Sequence, residues 1–364
     1  MRSQLHILTG LLVLLVGISS PAFGAVELKN LYKAERILPV NAVNNQEAKA
    51  KREAMAEVLI RVSGYRTVLA DEGIQGALLS VDKYLSRFFY EQSSQTQLSA
   101  LGEVVRTKRL VLEFDEQQIN QLLSENALTV WGKRRPQVLV WLAYNAGGRR
   151  ELADLDTDQE VALAMIMEAS QRGVPVQLPN MDFEDELNIS PLDVWGMFSD
   201  SIENASLRYQ PEAVLAGRAE KVGSGWRADW ILLFSGEKRR FQAIGNTEQE
   251  LMNRTVNMVA ERLADQYAIV LDDYFTSDVQ LTVSGIETIQ QYQQLNQYVA
   301  GLTGVNAATV SHVNGNEVTL GLELSGDVQQ LKDIIALDDR LTPQDLVTSD
   351  SSDLLDHVFF VWQP

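Results

Sequence analysis

The sequence predicts a mixed α+β protein of three domains. The first and last are expected to be ferredoxin-like, in the order βαββαβ, and the middle one an α/β layer around a mixed sheet. Three observations carry this reading. Helical and strand periodicities alternate along the chain. Asn314-Gly315 lies between two extended runs, a strong hairpin signal because both residues tolerate positive φ. Charge is also unevenly distributed over the 364 residues. Residues 25–134 hold 15 basic and 14 acidic side chains, residues 135–272 hold 13 and 22, and residues 273–364 hold 2 and 13. The steps fall near Lys133-Arg134-Arg135-Pro136 and Asp272-Asp273, so the expected domains are 25–134, 135–272 and 273–364, with 1–24 a removable signal.

The elements follow in chain order. A strand is expected over Leu31–Leu38, then a helix with Met55, Val58, Leu59 and Val62 on one face and Gly64 as its stop. Tyr84–Tyr90 and Val104–Phe114 read as strands, and Asp115 as the cap of a helix carrying Ile119, Leu122 and Leu123. The middle domain opens with an apolar strand, Gln137–Tyr144. Thr157 with Glu160 forms a capping box for a helix ending at Arg172-Gly173, and Val174–Leu178 is short and extended. Ser190-Pro191 starts another helix, with proline suited to its first position. Strands over Ala213–Lys221, Trp226–Phe234 and Arg239–Ile244 follow, then a helix capped by Thr247 with Glu250. In the last domain a strand at Val279–Val283 leads to a helix through Ile289, Tyr292, Leu295, Val299 and Leu302. The hairpin strands Val305–Val313 and Glu317–Leu324 come next. Val328, Leu331, Ile334 and Ile335 mark a second helix, and Val358–Trp362 a final strand. Leu112-Glu113-Phe114 and Leu322-Glu323-Leu324 open similar strand-to-helix turns, consistent with a repeated unit.

Composition narrows the function. The chain is 45% hydrophobic and 22% charged, ordinary for a globular protein, with a net charge of −18. A surface so acidic repels nucleic acid and anionic lipid. The absence of cysteine excludes disulfides, thiolate metal sites, cysteine nucleophiles and a lipid-anchored N-terminus. Met1-Arg2, the apolar run Ile7–Ile18 and Ser19-Ser20-Pro21 before Ala22-Phe23-Gly24 have the form of a secretory signal cut between Gly24 and Ala25. That run is too short to span a hydrocarbon core of ~30 Å. The expectation is a soluble periplasmic protein with no membrane span once the signal is removed.

Chemistry-bearing motifs are few. Only His6, His312 and His357 occur, so a histidine triad would have to use His312 or His357. Asp154, Asp156, Asp158 and Glu160 alternate, but Gln159 and Met165 stand where a calcium loop needs glycine and glutamate. Asp182, Glu184, Asp185 and Glu186 supply paired carboxylates of the type used in glycoside cleavage. Gly147-Gly148 and Gly223-Ser224-Gly225 lack the Gly-Lys-Ser/Thr ending of a phosphate loop. No catalytic residue, metal or cofactor is assigned. Basic clusters at Lys133-Arg134-Arg135, Arg149-Arg150 and Lys238-Arg239-Arg240 stand out. They meet either an anionic envelope polymer or an acidic partner domain, or else pair with the chain's own acidic surface, and self-pairing is favoured. Trp195, Met197 and Phe198 cluster after Pro191, which means core if buried and a docking patch if exposed.

The Ala-rich first helix ending Arg61-Val62-Ser63-Gly64, and Trp131-Gly132-Lys133-Arg134-Arg135-Pro136 followed by Val138-Leu139-Val140-Trp141, resemble an uncharacterised domain-of-unknown-function family of exported bacterial proteins. The resemblance covers most of 26–270 and implies no activity. In element order alone, the middle domain is similar to the N-terminal domain of TolB and to penicillin-binding-protein activator lipoproteins, and this chain lacks the lipid-attachment cysteine of those that have one. The expected function is that of a non-enzymatic periplasmic binding or adaptor protein docking to an envelope protein assembly. Arg149, Arg150, Trp195, Met197, Phe198, Lys238, Arg239 and Arg240 are its candidate interaction residues. The alternative is a carboxylate-dependent hydrolase acting on an envelope glycan.

Overall fold

A computed structural model describes residues 26–98, 104–146, 148–156, 159–271, 276–344 and 357–363. The chain begins with β1 (Val26–Glu27), β2 (Lys33–Pro39), α1 (Asn44–Ser63) and α2 (Glu72–Leu78). It continues through β3 (Leu85–Leu98), β4 (Val104–Phe114), α3 (Glu116–Glu125), β5 (Thr129–Val130) and β6 (Arg134–Arg135). Helix α1 buries Ala50, Ala54, Met55, Val58, Leu59 and Val62, the stripe that its apolar spacing dictates. It stops at Gly64, where φ is +85° and an added Cβ would lie 2.4 Å from Ala264 Cβ. Both conformation and space therefore demand glycine there. The Gln118 N–H donates to Asp115 Oδ1 (2.9 Å) and caps α3 as expected.

The first sheet runs β2-β4-β3, three of the four strands of a ferredoxin-like unit in the right order. The fourth does not join. After α3 the chain is drawn across the molecule, where β5 pairs with Ile269–Val270 and the Trp131 N–H donates to Val62 O (2.6 Å). The vacant place beside β2 is blocked, because Arg61 Nη1 donates to Lys33 O (2.8 Å) and Pro39 has no N–H to offer. The expected boundary between Arg134 and Arg135 falls inside β6, which pairs with β1.

The middle of the chain holds β7 (Val138–Ala146), β8 (Arg149–Leu152), α4 (Glu160–Arg172), β9 (Val176–Gln177), α5 (Phe183–Asn188), α6 (Pro191–Gly196) and α7 (Ser199–Ser206). Then come β10 (Ala213–Val222), β11 (Gly225–Phe234), β12 (Glu237–Gly245), α8 (Glu248–Tyr267) and β13 (Ile269–Val270). Its sheet is mixed, in the order β12-β11-β10-β7-β8 with β9 also on β7. Strands β7 and β10 are parallel. Alternation along the strands splits the core. Val138, Val140, Leu142, Leu215 and Trp230 meet α4 and α8, while Leu139, Trp141, Ala216 and Ile231 meet the short helices α6 and α7. Thr157 lies outside the described residues. At α8 the Glu250 N–H reaches Thr247 Oγ1 (3.1 Å), but the Glu250 carboxylate takes the Asn246 N–H (2.9 Å), so the second capping box is only half formed.

The last unit comprises β14 (Thr276–Ser284), α9 (Ile289–Ala300), β15 (Val305–Asn314), β16 (Glu317–Ser325), α10 (Val328–Ile335), β17 (Leu341–Pro343) and β18 (His357–Trp362). Its sheet order, β15-β16-β14-β18-β17, keeps the ferredoxin-like sequence of neighbours with one change. The extra strand β17 takes the edge, so β18 returns parallel to β14, where a four-stranded ferredoxin-like sheet would be antiparallel. The hairpin register also differs by one residue from expectation. Asn314 pairs with Glu317, and the turn residues are Gly315 (φ +60°) and Asn316, a first-position glycine of the II′ kind.

One continuous apolar core joins the middle and last sheets through residues such as Trp131, Tyr267 and Ile269, whereas the first unit has its own. Three buried arginines staple these parts. Arg172 donates to Asn257 Oδ1 (2.7 Å), Ile60 O (3.0 Å) and Gly64 O (2.7 Å). Arg135 donates to Gly132 O, Trp131 O and Arg61 O and stacks 3.6 Å over Trp131. Arg61 donates to Gln171 O (2.8 Å) and pairs with Glu57. Together they place positive charge on the carbonyl end of α1, where the helix dipole is negative. Burial pushes the Arg172 guanidinium down to about 10, still charged at neutral pH. No helix among the described residues is long and apolar enough to cross a membrane.

Candidate functional site

The carboxyl end of β7 and β10 carries the densest group of the residues singled out in the sequence. Helix α6 is set there by a reciprocal cap in which the Asp193 N–H donates to Ser190 Oγ (3.3 Å) and the Ser190 N–H to Asp193 Oδ2 (2.9 Å), with Pro191 following. The helix ends in Met197 at φ +53°, a left-handed residue that turns the chain directly into α7. Trp195 and Met197 are half-buried against the core of that face, while Phe198 is 58% exposed.

Basic residues from distant strands converge on this corner. Arg150, at the start of β8, lies 4.4 Å over the Trp195 ring. On the same ring, Arg218 of β10 lies at 5.6 Å and donates to Trp195 O (3.0 Å). Arg218 is paired with Asp229 (3.1 Å). Burial alone would raise the Asp229 carboxyl, but bonds from Gln242 and Arg218 outweigh it and hold it low. Arg240 Nη2 donates to Met197 O (3.2 Å). Lys238 donates to Ser199 Oγ (3.1 Å) and pairs with Glu203 (2.8 Å). Arg149 and Arg239 are exposed and turn to their strand neighbours Glu151 (3.8 Å) and Glu237 (2.9 Å). The Trp195 segment thus meets Arg150 at its start and Arg240 and Lys238 further along α6 and α7, whereas Arg149 and Arg239 point elsewhere. The third cluster does not present itself at all: Lys133 pairs with Glu116 (2.6 Å), Arg134 with Asp338 (3.3 Å), and Arg135 is buried.

Next to this corner lies an apolar surface that periodicity did not reveal. Phe183, Leu187, Leu192, Phe198 and Leu207 are each more than half exposed, on or beside the three consecutive helices α5, α6 and α7. Phe183 and Leu187 stand four apart on α5, a one-face spacing easily lost among the acids around them. Nothing in the sequence singles out Arg218 and Asp229, because β10 and β11 also carry Glu220, Lys221 and Arg227.

The acidic motif beside α5 is consumed by structure. Asp182 caps α5 through the Glu184 and Asp185 N–H groups (3.1 Å each) and holds Arg208 at 2.6 Å. That bond to Arg208, with the capping bonds, holds the Asp182 carboxyl down at about 2. Asp185 is buried and accepts from Met181 N–H (2.9 Å), Arg208 (3.1 Å) and the Tyr209 hydroxyl (2.5 Å). Asp154 closes a local turn with the Asp156 N–H (3.0 Å), and Asp158 lies outside the described residues. His312 is exposed on β15. His357 bonds Thr282 (2.8 Å) and stacks on Phe359, and burial pushes its imidazole down. Among the described residues no group of three or more His, Asp or Glu is placed to hold a metal ion.

A separate polar cleft of about 550 Å³ opens between the two ends of the chain, lined among others by Tyr32, Asn120, Lys133, Gln297 and Arg340.

Residues 25–132 match a family model described as Domain of unknown function (DUF8605), and residues 278–353 match one described as DUF2066. No curated protein and no solved structure matches the chain. The chain is therefore a protein with two domains of unknown function, one near each end, flanking a mixed α/β sheet.

Proposed function

We propose that the protein is exported to the periplasm through residues 1–24 and acts there, without catalysis of its own, as an adaptor that docks to an envelope protein assembly. The observation that carries this is the α5–α7 layer. Phe183, Leu187, Leu192, Phe198 and Leu207 lie open on or beside three short helices, next to a basic rim formed by Arg150, Lys238 and Arg240. Exposed apolar side chains gathered on one layer and bordered by charge mark protein contact surfaces. Val194, Ile202 and Ala205 anchor α6 and α7 to the sheet, which leaves their outer faces free to meet a partner.

The alternative, a hydrolase working through Asp182, Glu184, Asp185 and Glu186, has to contend with Arg208. It engages Asp182 and Asp185 and contacts Glu184 at 3.7 Å. A general acid needs a raised carboxyl, and Asp182 is held low.

The test is photocrosslinking in cells, with a photoreactive side chain at Phe183 or Phe198. A discrete adduct to one envelope protein is expected, and Leu187→Asp combined with Leu192→Asp should abolish it while the chain remains folded. Absence of any adduct from either position would refute the docking role of this layer.

A further inference from the structure

We infer that the free edge of β3 pairs with the same edge of a second copy of this chain, forming a two-fold dimer whose first sheet runs continuously through both subunits. β3 is the outer strand of the order β2-β4-β3. Its main-chain groups divide by parity. Phe114 N–H donates to Tyr32 O and Val40 N–H to Arg106 O, so even-numbered residues of β4 face β2 and odd-numbered ones face β3. Within the register Arg87↔Glu113, Phe89↔Val111 and Glu91↔Arg109, Arg87, Phe89 and Glu91 therefore bond to β4. The N–H and C=O groups of Phe88 and Tyr90 point outward, and no main-chain partner meets them among the described residues.

This edge is self-complementary. With the two-fold axis beside Phe89, antiparallel pairing sets Phe88 of one copy opposite Tyr90 of the second and Phe89 opposite itself. Phe88 and Tyr90 are then opposed through their outward groups, as a hydrogen-bonded antiparallel pair requires. The same register sets Arg87 opposite Glu91 of the second copy. Within one chain Arg87 already pairs with Glu113 (2.5 Å), and Arg109 with Glu91 (3.5 Å) and Glu35 (3.3 Å). The dimer would join these into one ladder of alternating sign, Glu113, Arg87, Glu91, Arg109 and Glu35, crossing the boundary twice by symmetry. Phe88 and Tyr90, 45% and 43% exposed, would gain aromatic cross-strand partners of the kind that stabilise sheets.

Two other edges are less suited. β15 shifts register at Val305/Ala307 and Val310/His312, so its longest regular run, Ala307–Val310, is shorter than the Arg87–Gln92 run that lies between the two shifts of β3. β2 is closed by Arg61 and Pro39. From Arg87 to Gln92 the edge of β3 is regular and carries neither proline nor lysine.

The chain's lack of cysteine makes the test clean. Facing residues of a non-hydrogen-bonded antiparallel pair have Cα atoms about 4.5 Å apart, within reach of a disulfide. In the full chain, Phe89→Cys should oxidise to a covalent dimer, whereas Val313→Cys on β15 should not. Adding Glu91→Arg to Phe89→Cys should slow cross-linking about tenfold through two like-charge contacts. Sedimentation of the unmodified chain should show a concentration-dependent shift to twice the monomer mass. A chain that stays monomeric, or equal cross-linking from Phe89→Cys and Val313→Cys, would overturn the dimer and leave the edge to an extended segment of another protein.

Discussion

Asp182 shows how one side chain can read as catalysis in sequence and as architecture in space. It caps α5 and holds Arg208, and its carboxyl sits at about 2 against an ordinary 3.8. A carboxyl depressed in the folded state stabilises fully above its unfolded value, and that contribution fades as pH falls towards the folded one. The melting temperature should therefore drop between about pH 4 and pH 2 in part through Asp182. Asp182→Asn keeps a competent cap but loses the charge opposite Arg208. The variant should melt lower than the parent at neutral pH, with the gap closing towards pH 2. A constant gap across that range would mean that the ion pair contributes nothing. Adjacent acids say nothing about which of them face a guanidinium contributed from 22 to 26 residues further on, so this pairing was not legible beforehand. By contrast, the caps at Asp115 and Ser190 were readable, because their partners lie three residues away.

Elements were most legible where the signal is local. Periodicity placed the three consecutive strands β10, β11 and β12 and the long helices α1 and α8 close to where they lie. It failed where a strand's partner is remote. Nothing in Thr129-Val130 indicates that it leaves the first sheet for Ile269–Val270. Nor does Leu341–Pro343 reveal itself as a fifth strand that reverses β18. The hairpin between β15 and β16 sits between these cases: its turn is legible, but its register differs by one residue from the expected one. Gly315 is at φ +60° with open space around its Cα, so replacing it tests backbone conformation alone. Gly315→Val should lower stability by about 1–3 kcal/mol, visible as a lower midpoint in denaturant with the slope unchanged. Asn316, at the second turn position and with negative φ, should tolerate alanine. An unchanged midpoint for the valine variant would show that the turn does not hold this geometry. The docking corner belongs to the same scale. Trp195, Arg150 and Arg240 all stand out in the sequence, yet only the sheet order β12-β11-β10-β7-β8 brings Arg150 and Arg240 to the same helical segment.

At the scale of the whole molecule, how the parts hold together rests on the buried arginines more than on any expected boundary. The first unit has a separate core, while the middle and last share one, so the weak seam lies between the first unit and the rest. Arg172 crosses it. From α4 it reaches the carbonyls of Ile60 and Gly64 at the end of α1, and on its own side it bonds Asn257. Arg172→Leu keeps much of the side-chain volume but strands the Gly64 carbonyl and the Asn257 amide oxygen away from water, while Ile60 O keeps the Gly64 N–H. Buried groups left without partners cost about 1–3 kcal/mol each, and loss of a buried charged donor about 3–5 kcal/mol in total. That loss falls on the seam, not on either core. The parent should therefore melt in one calorimetric transition. In Arg172→Leu the first unit should separate as an earlier, smaller one, because its remaining ties through Arg61 and Arg135 no longer match its own stability. Arg172→Lys should behave almost as badly, since a single ammonium cannot span three acceptors that the planar guanidinium meets at once. A variant that still melts in one transition near the parent's temperature would place the coupling elsewhere, in the β5–β13 pairing, a main-chain tie of the first unit to the remainder.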